Sequence, residues 1–181
     1  MAEIVLISGL SGAGRSGAAN VLEDLGWFVI DNLPTALVST FVELAAKPGS
    51  EIAKLALVGG RDHANVLSKV AELRADGHNV RILFLDTTTA QLVKRYDATR
   101  RRHPLAAQAD GLVESIELER QQLDKVRGSA DLIIDTTDLN VHQLKGRILQ
   151  AFDHGTESRL QVAVESFGFK HGLPLDADMV L

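Results

Sequence analysis

Apolar residues along the chain fall into five short runs, separated by longer stretches in which they recur every three or four positions. The runs are EIVLIS (residues 3–8), WFVID (27–31), KLALVG (54–59), VRILFLD (80–86) and DLIID (131–135). Each is too short for a helix. Most are nearly continuous in Val, Ile, Leu and Phe, which predicts strands buried on both faces of a parallel sheet. Between them, residues 15–25, 64–75 and 112–126 carry an apolar stripe opposite a polar face, as amphipathic helices do. Breaks are legible at Gly26, at Pro48 and Gly49, at Gly77 and at Gly128. The alternation predicts a doubly wound α/β fold, a three-layer sandwich around a mainly parallel sheet of about five strands.

Four runs end in Ser8, Asp31, Asp86 and Asp135, at the sheet edge where such folds place ligands. The last 22 residues, LQVAVESFGFKHGLPLDADMVL, start like a sixth strand and stop on apolar Val180 and Leu181. The expectation is one domain over residues 1–158, with residues 159–181 beginning a second domain that is cut short.

Length and composition narrow the class. A chain of 181 residues, 45% apolar, is enough for one sizeable core. No apolar run reaches the roughly 18 residues of a membrane span, and Glu3 stands where a secretory signal would carry positive charge. The expectation is a cytoplasmic protein with no membrane partner. The absence of cysteine excludes disulfides, thiolate metal sites and cysteine nucleophiles. A net charge of −5 argues against the whole domain being an electrostatic binder of nucleic acid. The six histidines show no HxxxH or HExxH spacing, so any metal is expected to be magnesium delivered with a nucleotide.

The chemistry gathers at GLSGAGRS, residues 9–16, which fits the template Gly, four residues, Gly, Lys, Ser or Thr except at the lysine, where Arg15 stands. Gly9, Gly12 and Gly14 free the backbone to turn its N–H groups toward phosphate oxygens, and a helix N-terminus follows. Leu10, Ser11 and Ala13 complete the loop. Ser16 is in place to hold magnesium. Arg15 supplies charge and a planar fork that is not interchangeable with an ammonium group. A glycine-rich turn that binds nothing, and a site that binds without hydrolysing, are the competing readings.

Asp86 reads either as a strand-end carboxylate for the magnesium shell or as a cap for the helix beginning near Thr88. Asp31 opens DNLP, in which Pro34 would start a helix capped by Asp31 or Asn32, or a carboxylate would face the outer phosphates. Arg15, Asp31 and Asp86 are thus the candidate catalytic residues, with Ser16 and Asp86 the candidate metal ligands. TRRRHPL (99–105) reads as an arginine lid for a transferred phosphoryl group or as a solvated basic helix end. His103 alone is not evidence of a general base. DTTD (135–138) most simply caps the helix from Leu139 onward.

GLSGAGRS, VLEDLGWFVIDNLP, TRRRHPL, ADLIIDTTDLNVHQLK and ESFGFKHGLPLDADMV, read in order, make the chain resemble the RapZ-like family of bacterial P-loop proteins. The resemblance runs from Ile4 to the last residue. It implies an N-terminal P-loop domain that precedes a C-terminal one, binding and hydrolysis of ATP and GTP, a regulatory role and, in some members, delivery of a small RNA to an RNase. It places the ATP loop on residues 9–16 and the guanine-nucleotide motif on Gly59, Gly60, Arg61 and Asp62, where only the arginine of the family pattern is retained. The expected partners are a nucleoside triphosphate with magnesium and, mainly through the C-terminal domain, RNA or an RNase; an oligomer is compatible with the sequence. The alternative reading of the residues is a small-molecule kinase with Arg100, Arg101 and Arg102 on its lid.

Overall fold

The computed structural model describes residues 3–47, 50, 52–59 and 65–153. Gly60, Arg61 and Asp62, the sixth strand expected near Leu160 and the whole of residues 159–181 lie outside the described residues.

The five apolar runs all form strands: β1 (Glu3–Gly9), β2 (Phe28–Leu33), β3 (Lys54–Gly59), β4 (Asn79–Asp86) and β5 (Leu132–Asp135). They make one sheet in the order β2-β3-β1-β4-β5, with every neighbouring pair parallel. Among the described residues six helices connect or follow them: α1 (Arg15–Asp24), α2 (Val38–Ala46), α3 (Val66–Ala75), α4 (Thr89–Thr99), α5 (Leu112–Gly128) and α6 (Val141–Phe152). Consecutive residues Ile4, Val5, Leu6 and Ile7 of β1 are all buried, and since they point alternately to opposite faces, both faces are covered. β1 lies between β3 and β4, with Ile7 level with Val58 on one side and Leu83 on the other. The chain leaves β1 toward β2 on one side and reaches β4 on the other, so the crevice expected at a reversal of strand order opens at the carboxyl end of β1.

The edges depart from the buried-strand expectation. Phe28 on β2 is 48% exposed and Ile133 on β5 is 42% exposed, because each of these strands has a neighbour on one side only. An apolar run cannot tell an edge from a centre. Trp27 precedes β2 rather than belonging to it; its buried indole meets Phe152 of α6 edge to face at 6.0 Å.

Three capping expectations are corrected. After Pro34 the chain makes a short 3-10 turn (Thr35–Leu37) before α2, whose N-cap position is Leu37 without a side-chain cap. Asp31 and Asn32 instead lie within β2, just before its last residue Leu33; Asn32 adopts a left-handed φ of 55° and the pairing with β3 shifts register between Asp31 and Leu33. α4 is capped by Thr88 and not by Asp86. α6 is capped by Asn140, which exchanges reciprocal bonds with Gln143 in a capping box, while Asp135 accepts from the Thr137 amide and hydroxyl.

Gly9 closes β1 against β4. Its φ is +140°, and a Cβ there would stand 2.2 Å from the Leu85 carbonyl oxygen and 2.8 Å from the Leu85 amide nitrogen. The obstacle is backbone at the centre of the sheet, which no rotamer change can clear. Gly9→Ala is therefore expected to destabilise the chain by about 3 kcal/mol or more, read as a lowered urea midpoint; a loss below about 0.5 kcal/mol would contradict the packing described.

Candidate functional site

The loop that leaves β1 turns on Gly9, Gly12 and Gly14, at φ of +140°, +92° and +106°. Gly14 is the N-cap of α1 and supplies no side chain, so among the described residues the first amides of that helix have no side-chain cap. An anion is a natural partner for such donors at the positive end of a helix. Ser16, on the first turn of α1, is exposed.

The loop's outward carbonyls are held from behind. Arg95 of α4 donates through Nη1 to the Gly12 carbonyl at 2.9 Å and through Nη2 to the Thr136 carbonyl at 2.6 Å. The Thr136 hydroxyl, buried, donates to the Ala13 carbonyl at 2.9 Å. Burial lowers the pKa of Arg95, and the carbonyl acceptors are what make the charged guanidinium tolerable there. Leu10 donates to the Leu85 carbonyl and Ala13 back to that of Leu10.

Arg15, at the lysine position, spreads its fork between two anchors. Nη1 donates to the Gly59 carbonyl at the end of β3, at 3.1 Å, and Nη2 to the Ser11 hydroxyl at 3.4 Å. Ser11 in turn donates its amide to Glu119 Oε2 at 2.9 Å and its hydroxyl to Glu119 Oε1 at 2.6 Å. Glu119 is 3% exposed. His103, also buried, lies with Nε2 3.2 Å from Glu119 Oε2 and accepts from the Leu105 amide at Nδ1. That second bond assigns the hydrogen to Nε2, so the ring donates to the carboxylate. The His103 ring tilts against Tyr96 at 5.3 Å, and burial, followed by the Glu119 charge, raises the Tyr96 phenol.

The strand-end carboxylates have different surroundings. Asp31 is exposed near the end of the edge strand β2. Asp86 is enclosed: Arg127 Nε donates at 2.7 Å, Arg120 Nη1 at 3.0 Å and the Thr87 amide at 2.9 Å. Its oxygens thus face the arginines of α5. Arg100, Arg101 and Arg102 are exposed and line a cleft of about 370 Å³ with Tyr96, Asp97 and His103. Among the described residues no group of three His, Asp or Glu could hold a metal by itself.

The loop and its flanks are legible in the sequence; Glu119, Arg95, Thr136 and Arg120 are not among the residues its motifs single out. One of these left a signal. On α5 the buried positions are Ser115, Ile116, Glu119, Leu123 and Val126, so Glu119 shares the buried face with the apolar residues, where a carboxylate is costly unless a specific partner waits for it. Arg95 and Thr136 left none, because a single arginine or threonine on an amphipathic surface is ordinary.

A five-stranded parallel sheet with this glycine loop running from β1 into α1 defines the P-loop α/β class. Shikimate kinases of Bacteroides thetaiotaomicron and Acinetobacter baumannii share the fold, with TM-scores of 0.56 and 0.57 at 14% and 17% identity, each over 83% of this chain and over 98% and 93% of theirs. The chain belongs to the family described as the RapZ-like N-terminal domain, whose model matches residues 2–156. Nucleotide-binding proteins of Thermobifida fusca (strain YX) and Streptomyces coelicolor are 49% and 50% identical to it over 184 residues, covering 99% of this chain and 62% and 61% of theirs. The chain therefore spans about three fifths of the length of these curated relatives.

Burial alone would raise the Asp86 pKa, but the bonds from Arg127, the Thr87 amide and Arg120 outweigh it and leave the carboxyl below its ordinary value. A carboxyl depressed in the native state stabilises the fold above its unfolded pKa and loses that contribution as pH falls through the native one. Asp86→Asn is expected to cost about 1–2 kcal/mol near neutral pH. The difference from wild type should shrink below about pH 4, as urea melts at both pH values would show.

Proposed function

We propose that the chain binds a nucleoside triphosphate on the loop of residues 9–16 and hydrolyses it slowly, as a regulatory ATPase. The observation that carries this reading is the orientation of the loop. Arg95 and Thr136 hold the carbonyls of Gly12 and Ala13, glycines make the turns, and the uncapped start of α1 offers its amides to an anion. The names of the relatives in Thermobifida fusca and Streptomyces coelicolor support the same ligand class. Arg15 binds the outer phosphates through its fork in place of the usual lysine.

The Ser16 hydroxyl is a hard oxygen donor, exposed on the first turn of α1, and fits magnesium carried in with the nucleotide. The ion would neutralise charge on the outer phosphate oxygens; the chain contributes the hydroxyl and the amides. Asp86 has no metal role in this reading, since Arg120 and Arg127 hold its oxygens. Asp31 is the carboxylate available to orient water. GTP as a second nucleotide rests on resemblance alone.

A small-molecule kinase is the second reading. It is favoured by the exposed Asp31 beside the end of β3 that anchors Arg15, where a carboxylate could accept the proton of an acceptor hydroxyl. A panel of hydroxyl acceptors separates the two: none should raise ATP turnover above hydrolysis by water if the first reading holds.

Isothermal titration of the 181-residue chain with ATP and magnesium is expected to show saturable binding. Arg15→Ala should weaken it by about tenfold or more. An intact, folded chain that takes up no nucleotide would sink the proposal.

A further inference from the structure

Glu119 is buried on the apolar stripe of α5, yet among the described residues its donors are neither Lys nor Arg. A buried carboxylate survives only where charge-assisted hydrogen bonds offset its desolvation, and here the amide and hydroxyl of Ser11 and the His103 ring supply them. Ser11 has a single hydroxyl hydrogen, committed to Glu119 Oε1 at 2.6 Å. Its oxygen can then only accept; Arg15 Nη2 meets it at 3.4 Å, and the Tyr96 phenol is a further neighbour of the Ser11 side chain. The other arm of the fork rests on the Gly59 carbonyl at 3.1 Å. One chain of hydrogen bonds therefore runs from His103 through Glu119 and Ser11 to Arg15 and ends on β3.

We infer that Glu119 is a positioning residue for Arg15, acting through Ser11, and that His103 ties the adjoining Arg100, Arg101 and Arg102 to the same carboxylate. This deepens the nucleotide reading above and rests on it. A guanidinium is planar and useful at only one angle, whereas an ammonium group is not so restricted. With Ser11 holding one arm in place, the other can exchange the Gly59 carbonyl for an oxygen of the outermost phosphate. The inner phosphates rely on the amides at the start of α1, which need no fork, while the Ser11 amide is held by Glu119 and keeps a carbonyl acceptor in Glu119→Gln. Loss of Glu119 should therefore impair recognition of a triphosphate far more than that of a diphosphate.

The test titrates the 181-residue chain with magnesium and either ATP or ADP, with thermal melts alongside. Glu119→Gln is expected to weaken ATP by about tenfold, to leave ADP within about twofold and to keep a cooperative melt. On an Arg15→Ala background the same substitution should change ATP affinity by less than about twofold, because the group it positions has gone. Should Glu119→Gln fail to fold, Ser11→Ala breaks the same chain of bonds and should give the same ATP-selective loss. Equal losses for ATP and ADP, a full effect persisting without Arg15, or tighter ATP binding by Glu119→Gln would overturn the inference; the last would make the carboxylate a competitor of phosphate. Failure of the wild-type chain to bind either nucleotide would overturn the reading beneath it, and needs no variant to be seen.

Discussion

A loop can turn its amides toward a ligand only if its carbonyls find partners on the other side. That constraint organises this molecule. Arg95 and Thr136 take the carbonyls of Gly12 and Ala13, and these residues come from α4 and from the segment after β5, so the loop's shape depends on elements far along the chain. The sheet order makes it feasible: β4 lies beside β1 and β5 beside β4, so whatever follows β4 and β5 emerges next to the loop. The same adjacency brings Gly9 against the backbone of Leu85, where no side chain fits.

Glu119 supplies a second tie, to Ser11. A carboxylate at a loop proposed to hold phosphate is unexpected on charge grounds alone. It becomes intelligible once the lysine position is an arginine, because a planar cation needs a wall to lean on and the Ser11 oxygen, oriented by Glu119, is that wall. Asp86 is the contrasting case. Its strand-end position is what a metal ligand requires, but the bonds of Arg120 and Arg127 have made it a joint between β4 and α5.

The local pattern carried the strands, the loop and most of the helices, because apolar run length and glycine placement act over a few residues. All five runs became strands, and the resemblance to the RapZ-like family is matched over residues 2–156. What the pattern could not carry was anything set by neighbours in space. Phe28 looks as buried as Ile7 in sequence, and only the strand order exposes it. The capping of α6 by Asn140 instead of DTTD was decided by a competing turn around Asp135. Glu119 alone among the missed site residues was marked, as a charge in an apolar register.

A crystal structure of the chain with magnesium and a nonhydrolysable ATP analogue tests the central claim most directly. The account predicts phosphates against the amides at the start of α1, the metal on the Ser16 hydroxyl, and one arm of Arg15 moved from the Gly59 carbonyl to the outermost phosphate while Ser11 keeps the other. A nucleotide bound elsewhere, or bound at the loop with Arg15 still fixed to Gly59, would contradict it.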